Sequence, residues 1–143
     1  MYENLVSEAF EAMKSAYAPY SNYHVGACVL CKDGRTFRGV NVENASYGAT
    51  NCAERCAVFG AYSYGYRKAD IAALAIVSDG ARIGTPCGIQ GGEDTCYPCG
   101  ICRQVLSELL ESDTPIILSN GEETTETTIA ELLPMSFGME DLA

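Results

Sequence analysis

The sequence is poor in residues that mark several common kinds of protein. It contains no tryptophan and one histidine, His24, which excludes metal sites built from several histidines within a single chain. Lysine and arginine together number 9 against 19 acidic residues, and the formal net charge is −10. A surface this acidic repels phosphate backbones, so we expect no polymeric nucleic acid as a partner, whereas a small neutral molecule fits.

Long apolar runs are also missing. No segment approaches the length that spans a bilayer, so we expect no membrane insertion. The first residues, MYEN, lack the basic region and apolar core of a signal peptide, and we therefore expect a cytoplasmic protein. The 143 residues, 48% hydrophobic and 20% charged, fit one domain, 1–143, with a single core.

Cysteine, by contrast, is abundant, at eight residues. Because we expect a compartment that keeps thiols reduced, metal binding is a better interpretation than a disulfide framework. Cys52 precedes Glu54 by two residues, and Cys99 and Cys102 have the spacing of one helical turn. Three thiolates can close on one zinc ion and leave a fourth position where water becomes acidic enough to act as hydroxide near neutral pH. The Glu54 carboxylate can accept that water's proton and pass it to a substrate nitrogen.

The charge of such a site indicates a role for Arg55. Three thiolates around a divalent ion leave the cluster negative, which weakens its ability to acidify water. A cation that donates to the sulfurs offsets this charge, and Arg55, three residues after Cys52, is placed to be that donor. Cys52 and Cys99 also fall at predicted helix starts, where the partial positive charge of the helix favours thiolates.

The remaining cysteines allow other interpretations. Cys28 and Cys31 fall on or near a predicted strand and Cys56 on a predicted helix, and we expect all three to be small buried apolar residues. Cys87 and Cys96 lie in a glycine-rich segment and stay open. They could bind a second metal, pair reversibly or be inert, and the last interpretation is favoured.

Apolar patterns predict a layered α/β domain. We expect a helix over 3–17, then strands over 23–31 and 36–42 joined by a turn at Asp33-Gly34. A helix over 52–63, capped by Asn51 or Thr50, a strand over 71–77 and a long loop over 80–97 follow. The last elements are a helix from Cys99, a strand over 115–118 and a short helix that starts with a capping box at Thr128. Helices that alternate with buried strands indicate helix layers on a sheet, which the first hairpin makes mixed.

Five motifs, in order and over nearly the whole length, resemble the small zinc-dependent cytidine deaminases. They are residues 19–27 (PYSNYHVGA), 41–48 (NVENASYG), 52–55 (CAER), 98–104 (PCGICRQ) and 132–138 (LLPMSFG). The resemblance implies a three-layer α/β/α fold and hydrolytic deamination of cytidine and deoxycytidine to uridine and deoxyuridine, a step of pyrimidine salvage. It also implies one Zn²⁺ per chain and a homotetramer whose active sites are shared between subunits.

The resemblance assigns roles residue by residue. Cys52, Cys99 and Cys102 would hold zinc, and zinc-bound hydroxide would attack C4 of the base. Glu54 would deprotonate the water, protonate N3 and help the amine leave. The resemblance also implies that Tyr23, where the family usually has Phe, stacks on the pyrimidine and that Asn41 and Glu43 hydrogen-bond to the sugar 3′-hydroxyl. Backbone groups of Ala53 and Cys99 would recognise the base, and Arg55 and Gln104 would donate to the thiolates. Ala45, Tyr47 and Phe137 would contribute across subunit interfaces.

Other functions compete with this one. A deaminase of another cytosine-bearing small molecule, of the blasticidin S type, is the nearest, and Asn41 and Glu43 favour a nucleoside over it. A structural zinc module would use Cys87 or Cys96 as a fourth ligand but has no need of Glu54. A thiol–disulfide oxidoreductase shares only the C-x-x-C spacing. The loop over 80–97 is longer than is usual in the family, and we expect it to be tolerated.

Overall fold

The structure of the chain is a computed structural model that describes residues 1–79, 97–121 and 123–142. The predicted loop therefore lies, except for Tyr97, outside the described residues, and so do Cys87 and Cys96. Within these ranges, no helix is both long enough and apolar enough to cross a membrane.

Four helices and five strands form the domain. In chain order they are α1 (Glu3–Met13), β1 (Val25–Cys31), β2 (Thr36–Val40), α2 (Ala53–Ser63), β3 (Ile71–Ser78), α3 (Gly100–Leu109), β4 (Ile116–Ser119), β5 (Thr124–Thr127) and α4 (Ile129–Leu132). The predicted order is confirmed apart from β5, which we did not predict. Its sequence, TTET, has no apolar side chain to signal a strand, and three of its four residues are exposed.

The strands make one mixed sheet in the order β2-β1-β3-β4-β5. β1 pairs antiparallel with both β2 and β3, β3 pairs parallel with β4, and β4 pairs antiparallel with β5. The turn between β1 and β2 lies where Asp33-Gly34 predicts it, and Gly34 has a φ of 96°, which glycine adopts readily.

Helices cover both faces of the sheet, which confirms the three-layer α/β/α fold. On one face, which we call the α1 face, α1 packs on strand residues with small or β-branched side chains: Cys28, Ala73, Ala75, Val77 and Ile117. On the other, the α2–α3 face, the two helices and α4 pack on the alternate strand residues, which include Ala27, Val29, Leu74, Ile76, Ile116 and Leu118. The alternation of side chains along each strand produces this division.

Two glycines allow a helix to approach each face closely. A Cβ atom on Gly26 would lie 2.8 Å from the backbone N of Met13 in α1 and closer still to a second backbone atom. A Cβ atom on Gly39 would lie 2.9 Å from Cα of Ala57 in α2, and two further backbone atoms of that helix are nearer. Real Cβ atoms essentially never approach other atoms to within 3.0 Å, so both positions require glycine for the observed packing.

Several predicted boundaries were wrong. α1 ends at Met13 and does not reach Tyr17, because the Tyr17 backbone instead pairs with the chain after β2, donating to Asn41 O and accepting from Glu43 N, both at 2.9 Å. The N-cap of α2 is Cys52 itself and not Asn51 or Thr50.

Burial differs from the sequence pattern at two positions. Ile101 has helical spacing with the apolar residues Val105 and Leu109 of α3 but is 62% exposed, whereas Cys102 and Leu106 are buried. Cys28 and Cys31 are buried as predicted, but Cys56 is only half-buried.

Candidate active site

Three thiols converge where α2 and α3 begin. Cys52 is the N-cap of α2, Cys99 is the N-cap of α3, and Cys102 lies in the first turn of α3. Their sulfur atoms all lie within 4.8 Å of one another, and those of Cys52 and Cys99 are 3.9 Å apart. A tetrahedral zinc ion with Zn–S bonds of about 2.3 Å needs sulfurs about 3.8 Å apart, so the observed donor set fits one zinc ion.

The local backbone leaves the two capping sulfurs free to bind a metal. Cys52 and Cys99 have extended ψ angles of 156° and 172°, as N-cap residues do, yet neither side chain makes a capping hydrogen bond to the backbone of its helix. The unpaired N–H groups of both helix starts face the same region, and their partial positive charge favours thiolates. The sequence thus places ligands where the helices stabilise their charged form.

Arg55 lies against the sulfur cluster. Its Nη2 is 3.4 Å from Cys52 Sγ and 3.5 Å from the carbonyl oxygen of Thr50. A hydrogen bond from Cys102 and then the Arg55 guanidinium hold the pKa of the Cys52 thiol below its usual range, although burial opposes the shift. The Nε atom of Arg55 is buried and has no hydrogen-bond partner within the described part of the chain. The contact that the predicted role requires is made instead by Nη2.

Glu54 is a buried carboxyl group beside the thiols. It lies in the first turn of α2 and is 4% exposed. Burial, and then the negative charge of Cys52, raise the pKa of Glu54 to about 7. A carboxyl group whose pKa lies near neutral can both accept and donate a proton during one reaction cycle.

A cavity of about 240 Å³ joins Glu54 to polar residues from other elements. Cys52, Ala53, Glu54 and Cys99 line one part of it. The other lining residues come from the segments that flank β1 and β2 and from the chain before α2: Ser21, Tyr23, Val25, Asn41, Glu43, Thr50 and Asn51. Residues that are distant in the sequence but were predicted to act together therefore share one cavity.

The Asn41 side chain anchors Tyr23. Asn41 is 8% exposed, its Oδ1 accepts from the backbone N of Val25 at 2.9 Å, and its Nδ2 donates to the backbone O of Tyr23 at 2.8 Å. Tyr23 is itself only 4% exposed. An amide nitrogen carries two hydrogens, so Nδ2 keeps one for a ligand in the cavity.

The segment before Tyr23 donates three hydrogen bonds to the Glu43 carboxylate. Its Oε1 accepts from the backbone N of Tyr20 at 2.9 Å and of Ser21 at 3.1 Å, and its Oε2 accepts from Ser21 Oγ. Although burial opposes it, hydrogen bonds from Ser21 and Tyr20 hold the pKa of Glu43 below its usual range. The group is therefore an anion with a fixed orientation at neutral pH.

Residues 1–117, which include all three thiols and Glu54, match the family model of the cytidine and deoxycytidylate deaminase zinc-binding region. The chain belongs to the cytidine deaminase family. It is 48% identical to the cytidine deaminase of Halalkalibacterium halodurans over 139 residues, which are 96% of this chain and 95% of that protein.

Solved structures of cytidine deaminases resemble this one throughout. The crystal structure of cytidine deaminase from Burkholderia pseudomallei is 41% identical, with a TM-score of 0.83 over 96% of this chain and 99% of that chain. That of cytidine deaminase from Mycobacterium tuberculosis is 37% identical, with a TM-score of 0.75 over 96% and 98%. Zinc is accordingly the cofactor that the family and the three thiols support.

The residues that the cytidine deaminase resemblance assigned to subunit interfaces lie outside the cavity. Ala45 is exposed, Tyr47 is 77% exposed, and Phe137 is 56% exposed. The Tyr47 ring lies edge-on against Tyr20, with 6.1 Å between ring centroids. Among the described residues, none of the three lines the cavity of its own chain.

Gln104 makes a different contact from the predicted one. Its Nε2 donates to the backbone O of Phe137 at 2.8 Å, which ties α3 to the chain after α4. The donation from Gln104 to the thiolates stays a prediction.

Four residues of the cavity wall, Ser21, Val25, Thr50 and Asn51, were not assigned a role at the substrate from the sequence. Ser21 stands within the motif over 19–27, next to residues that we did single out. Its hydroxyl group contacts Glu43, 22 residues away, and only the fold reveals that contact.

Proposed function

We propose that the protein catalyses the hydrolytic deamination of cytidine and deoxycytidine to uridine and deoxyuridine. The observation that carries the proposal is one cavity that brings together a zinc-fitting thiol cluster, a buried glutamate and two polar groups for a sugar hydroxyl. Membership of the cytidine deaminase family supports the same reaction.

Cys52, Cys99 and Cys102 would hold one zinc ion per chain. When bound by three protein ligands, zinc supplies Lewis acidity that lowers the pKa of water to about 7 and so makes water nucleophilic at neutral pH. Arg55 donates to sulfur, which reduces the negative charge of the cluster and preserves that acidity. For Gln104 to share this task, its amide would have to leave the Phe137 carbonyl.

Glu54 moves the protons. Its carboxylate accepts a proton from the attacking water and delivers it to N3 of the base while the C4–O bond forms. It then transfers the remaining hydroxyl proton to the exocyclic nitrogen, the C4–N bond breaks, and ammonia leaves as the C4 carbonyl forms. Water and cytidine thus yield uridine and ammonia with no other reactant, and a Glu54 pKa near neutral suits both directions of transfer.

The rest of the cavity positions the nucleoside. Tyr23 packs its ring on the pyrimidine, and backbone groups of Ala53 and Cys99 read the polar edge of the base. The free hydrogen of Asn41 Nδ2 donates to the sugar 3′-hydroxyl, which donates in turn to Glu43. Asn41 and Glu43 follow β2 one residue apart from each other, and a carboxamide and a carboxylate in this arrangement can bracket one hydroxyl.

The active unit in this proposal is a homotetramer. Ala45, Tyr47 and Phe137 contribute to sites of neighbouring subunits, and their exposure supports this role. The C-terminal segment carries further exposed apolar side chains, with Met135 fully exposed and Met139 65% exposed, which suits burial against another subunit.

We also place the protein in the cytoplasm, because the site needs reduced thiols. We take residues 1–143 as one catalytic domain, which the single sheet supports.

The decisive experiment follows the absorbance of cytidine in the ultraviolet with protein whose zinc content has been quantified. We expect the cytidine absorbance to fall as ammonia is released, and Glu54→Ala to abolish both while it retains one zinc per chain. An inactive wild type with a full zinc complement would contradict the proposal. Blasticidin S is then the next compound to test, because a cytosine ring with a different substituent is the nearest alternative.

A further inference from the structure

Ser21 connects two proposed substrate-binding residues at the edge of the cavity. Its Oγ donates to Glu43 Oε2 and accepts from the backbone N of Tyr23 at 3.1 Å. Its backbone N also donates to Glu43 Oε1 at 3.1 Å. One residue therefore contacts both oxygens of the carboxylate and the backbone of the aromatic residue that we place against the base.

The local backbone is built to hold this arrangement. Asn22 has a φ of 57°, in the left-handed region that asparagine adopts more readily than most residues. Its backbone N donates to Ala18 O at 2.9 Å, which closes the turn. With Asn22 in this conformation, the N–H of Tyr23 points back to the Ser21 hydroxyl, as in other turns that serine side chains stabilise.

The hydrogen bonds leave one defined direction for a ligand. Oε1 of Glu43 already accepts from two backbone N–H groups, of Tyr20 and Ser21. Oε2 accepts only from the Ser21 hydroxyl among its described contacts, so it retains a lone pair. The same hydroxyl fixes the rotation of the carboxylate, and therefore where that lone pair points.

We infer that Ser21 is a positioning residue for sugar recognition, which aims Glu43 at the 3′-hydroxyl of the bound nucleoside. The inference rests on the proposed function, and it adds a residue to which the family resemblance assigned no role above. Ser21 makes no contact with the reacting atoms in this arrangement. Its loss should therefore weaken nucleoside binding and leave the chemical step intact.

The test compares two substrates that differ by one hydroxyl. Steady-state kinetics are measured with zinc-loaded wild type and Ser21→Ala on cytidine and on 3′-deoxycytidine. We expect Ser21→Ala to raise the KM for cytidine about tenfold, the cost of one misdirected hydrogen bond to a charged group, with kcat changed less than about twofold. The KM for 3′-deoxycytidine should change less than about twofold, because that substrate lacks the hydroxyl that Glu43 reads.

Matched variants separate the hydroxyl from the shape of the side chain. Ser21→Thr and Ser21→Val have nearly the same volume and branching, and only the threonine keeps the hydroxyl. We expect the threonine variant to resemble wild type and the valine variant to resemble Ser21→Ala, so the comparison holds even if one substitution disturbs the turn. Ser63→Ala, which removes a hydroxyl that donates to Gly60 O at the far end of α2, should change neither KM.

Each contrary outcome has a distinct meaning. An equal rise in KM for both substrates, or valine and threonine variants that behave alike, would overturn the role of Ser21 in an otherwise active enzyme. A zinc-loaded wild type that converts neither cytidine nor 3′-deoxycytidine would overturn the proposed function, and this inference with it.

Discussion

The two faces of the sheet are packed in the same way but differ in the side chains that line their cavities. Each has a glycine that lets a helix lie directly on a strand, Gly26 under α1 and Gly39 under α2. Each also borders a cavity, and the larger one, about 460 Å³, belongs to the α1 face, where it is lined by residues such as Val6, Phe10 and Ile117. No cysteine, histidine, lysine or arginine lines it within the described residues. The smaller of the two cavities, on the α2–α3 face, is lined by Cys52, Cys99 and the buried Glu54.

The starts of the helices, rather than the sizes of the cavities, determine where the reactive side chains lie. α2 and α3 begin next to each other, and their capping residues supply two of the three thiols. α1 begins at the half-buried Tyr2 and the exposed Glu3, with no side-chain cap and no cysteine in its first turn. Equivalent substitutions on the two faces should therefore have unequal effects on activity.

We expect the largest difference in kcat between substitutions of two glutamates, Glu54 and Glu8. Glu54→Gln removes the proton acceptor and should lower kcat by about 10² to 10⁴-fold while zinc stays bound. Glu8→Gln, on α1, weakens a surface pair with Arg38, whose Nε–Oε2 distance is 2.9 Å, and a contact with the Cys28 thiol, and it should leave kcat unchanged. The comparison is measured by cytidine turnover together with zinc content per chain, and equal effects of the two variants would contradict it.

Two arginines give the next contrast. Arg55→Ala removes the donor to Cys52 Sγ and should weaken zinc binding by about 10- to 100-fold, with a fall in turnover at limiting zinc. Arg38→Ala breaks the exposed pair with Glu8 and should not change zinc affinity. Competition with a chromophoric chelator measures both affinities. If Arg55→Ala bound zinc as tightly as Arg38→Ala, the assignment of Arg55 would be wrong.

Alanine substitutions of Gly26 and Gly39 test, by steric crowding, whether the two faces differ in their effect on zinc binding. Gly26→Ala and Gly39→Ala both force a helix away from its strand, and each should cost about 1–3 kcal/mol of unfolding free energy. Only Gly39→Ala displaces the first turn of α2, so it alone should also weaken zinc binding, by about tenfold. Urea unfolding and chelator competition supply the two measurements.

A third glycine serves as the control for this pair. Gly60 lies later in α2, and a Cβ atom there would meet only Phe37 Cδ1, at an ordinary 3.8 Å. Gly60→Ala should therefore change zinc affinity little. Equal losses of zinc affinity in Gly26→Ala and Gly39→Ala would show that the two faces are not independent.

The smallest effect is expected at Cys28 on the α1 face. Burial, and then the charge of Glu8, raise the pKa of this thiol to about 11. Between its ordinary pKa near 9.0 and 11, the unfolded chain loses the proton that the folded chain keeps, so stability should fall as pH rises, by at most about 1.4 kcal/mol per pH unit. Below pH 9 the thiol should have no such effect.

Cys28→Ala should remove that alkaline slope and leave turnover unchanged. Urea midpoints at pH 8, 9 and 10 for both proteins measure the slope. Parallel pH dependence in the two proteins would contradict the prediction, and a change in turnover would indicate that the α1 face contributes to the chemistry after all.

Local signals made much of this structure predictable. Asp33-Gly34 specified the first hairpin, and the apolar run over 71–77 specified the central strand, because turn chemistry and continuous burial are visible in the sequence. The spacing of Cys52, Cys99 and Cys102 predicted a cluster that the fold does assemble. For the hairpin and the strand the information lies within a few neighbouring residues, and the cluster combines two local patterns, Cys52 with Glu54 and Cys99 with Cys102.

The features that were missed depend on contacts between distant segments. Tyr17 has helical spacing with the apolar residues before it, but its backbone hydrogen-bonds to the chain after β2. The contact between Ser21 and Glu43 and that between Gln104 and Phe137 join segments whose approach only the folded sheet defines. β5 forms because β4 presents an edge to pair with, and its own residues carry no signal for it.

The position of the ligands in the chain has a consequence beyond catalysis. Cys52 and Cys99 are 47 residues apart, so a shared ion would be a cross-link between the first and last parts of the chain. By the loop-closure entropy used for disulfides, a link over this distance constrains the unfolded chain by about 4 kcal/mol. The supply of zinc would then determine the stability of the folded protein as well as its rate of turnover.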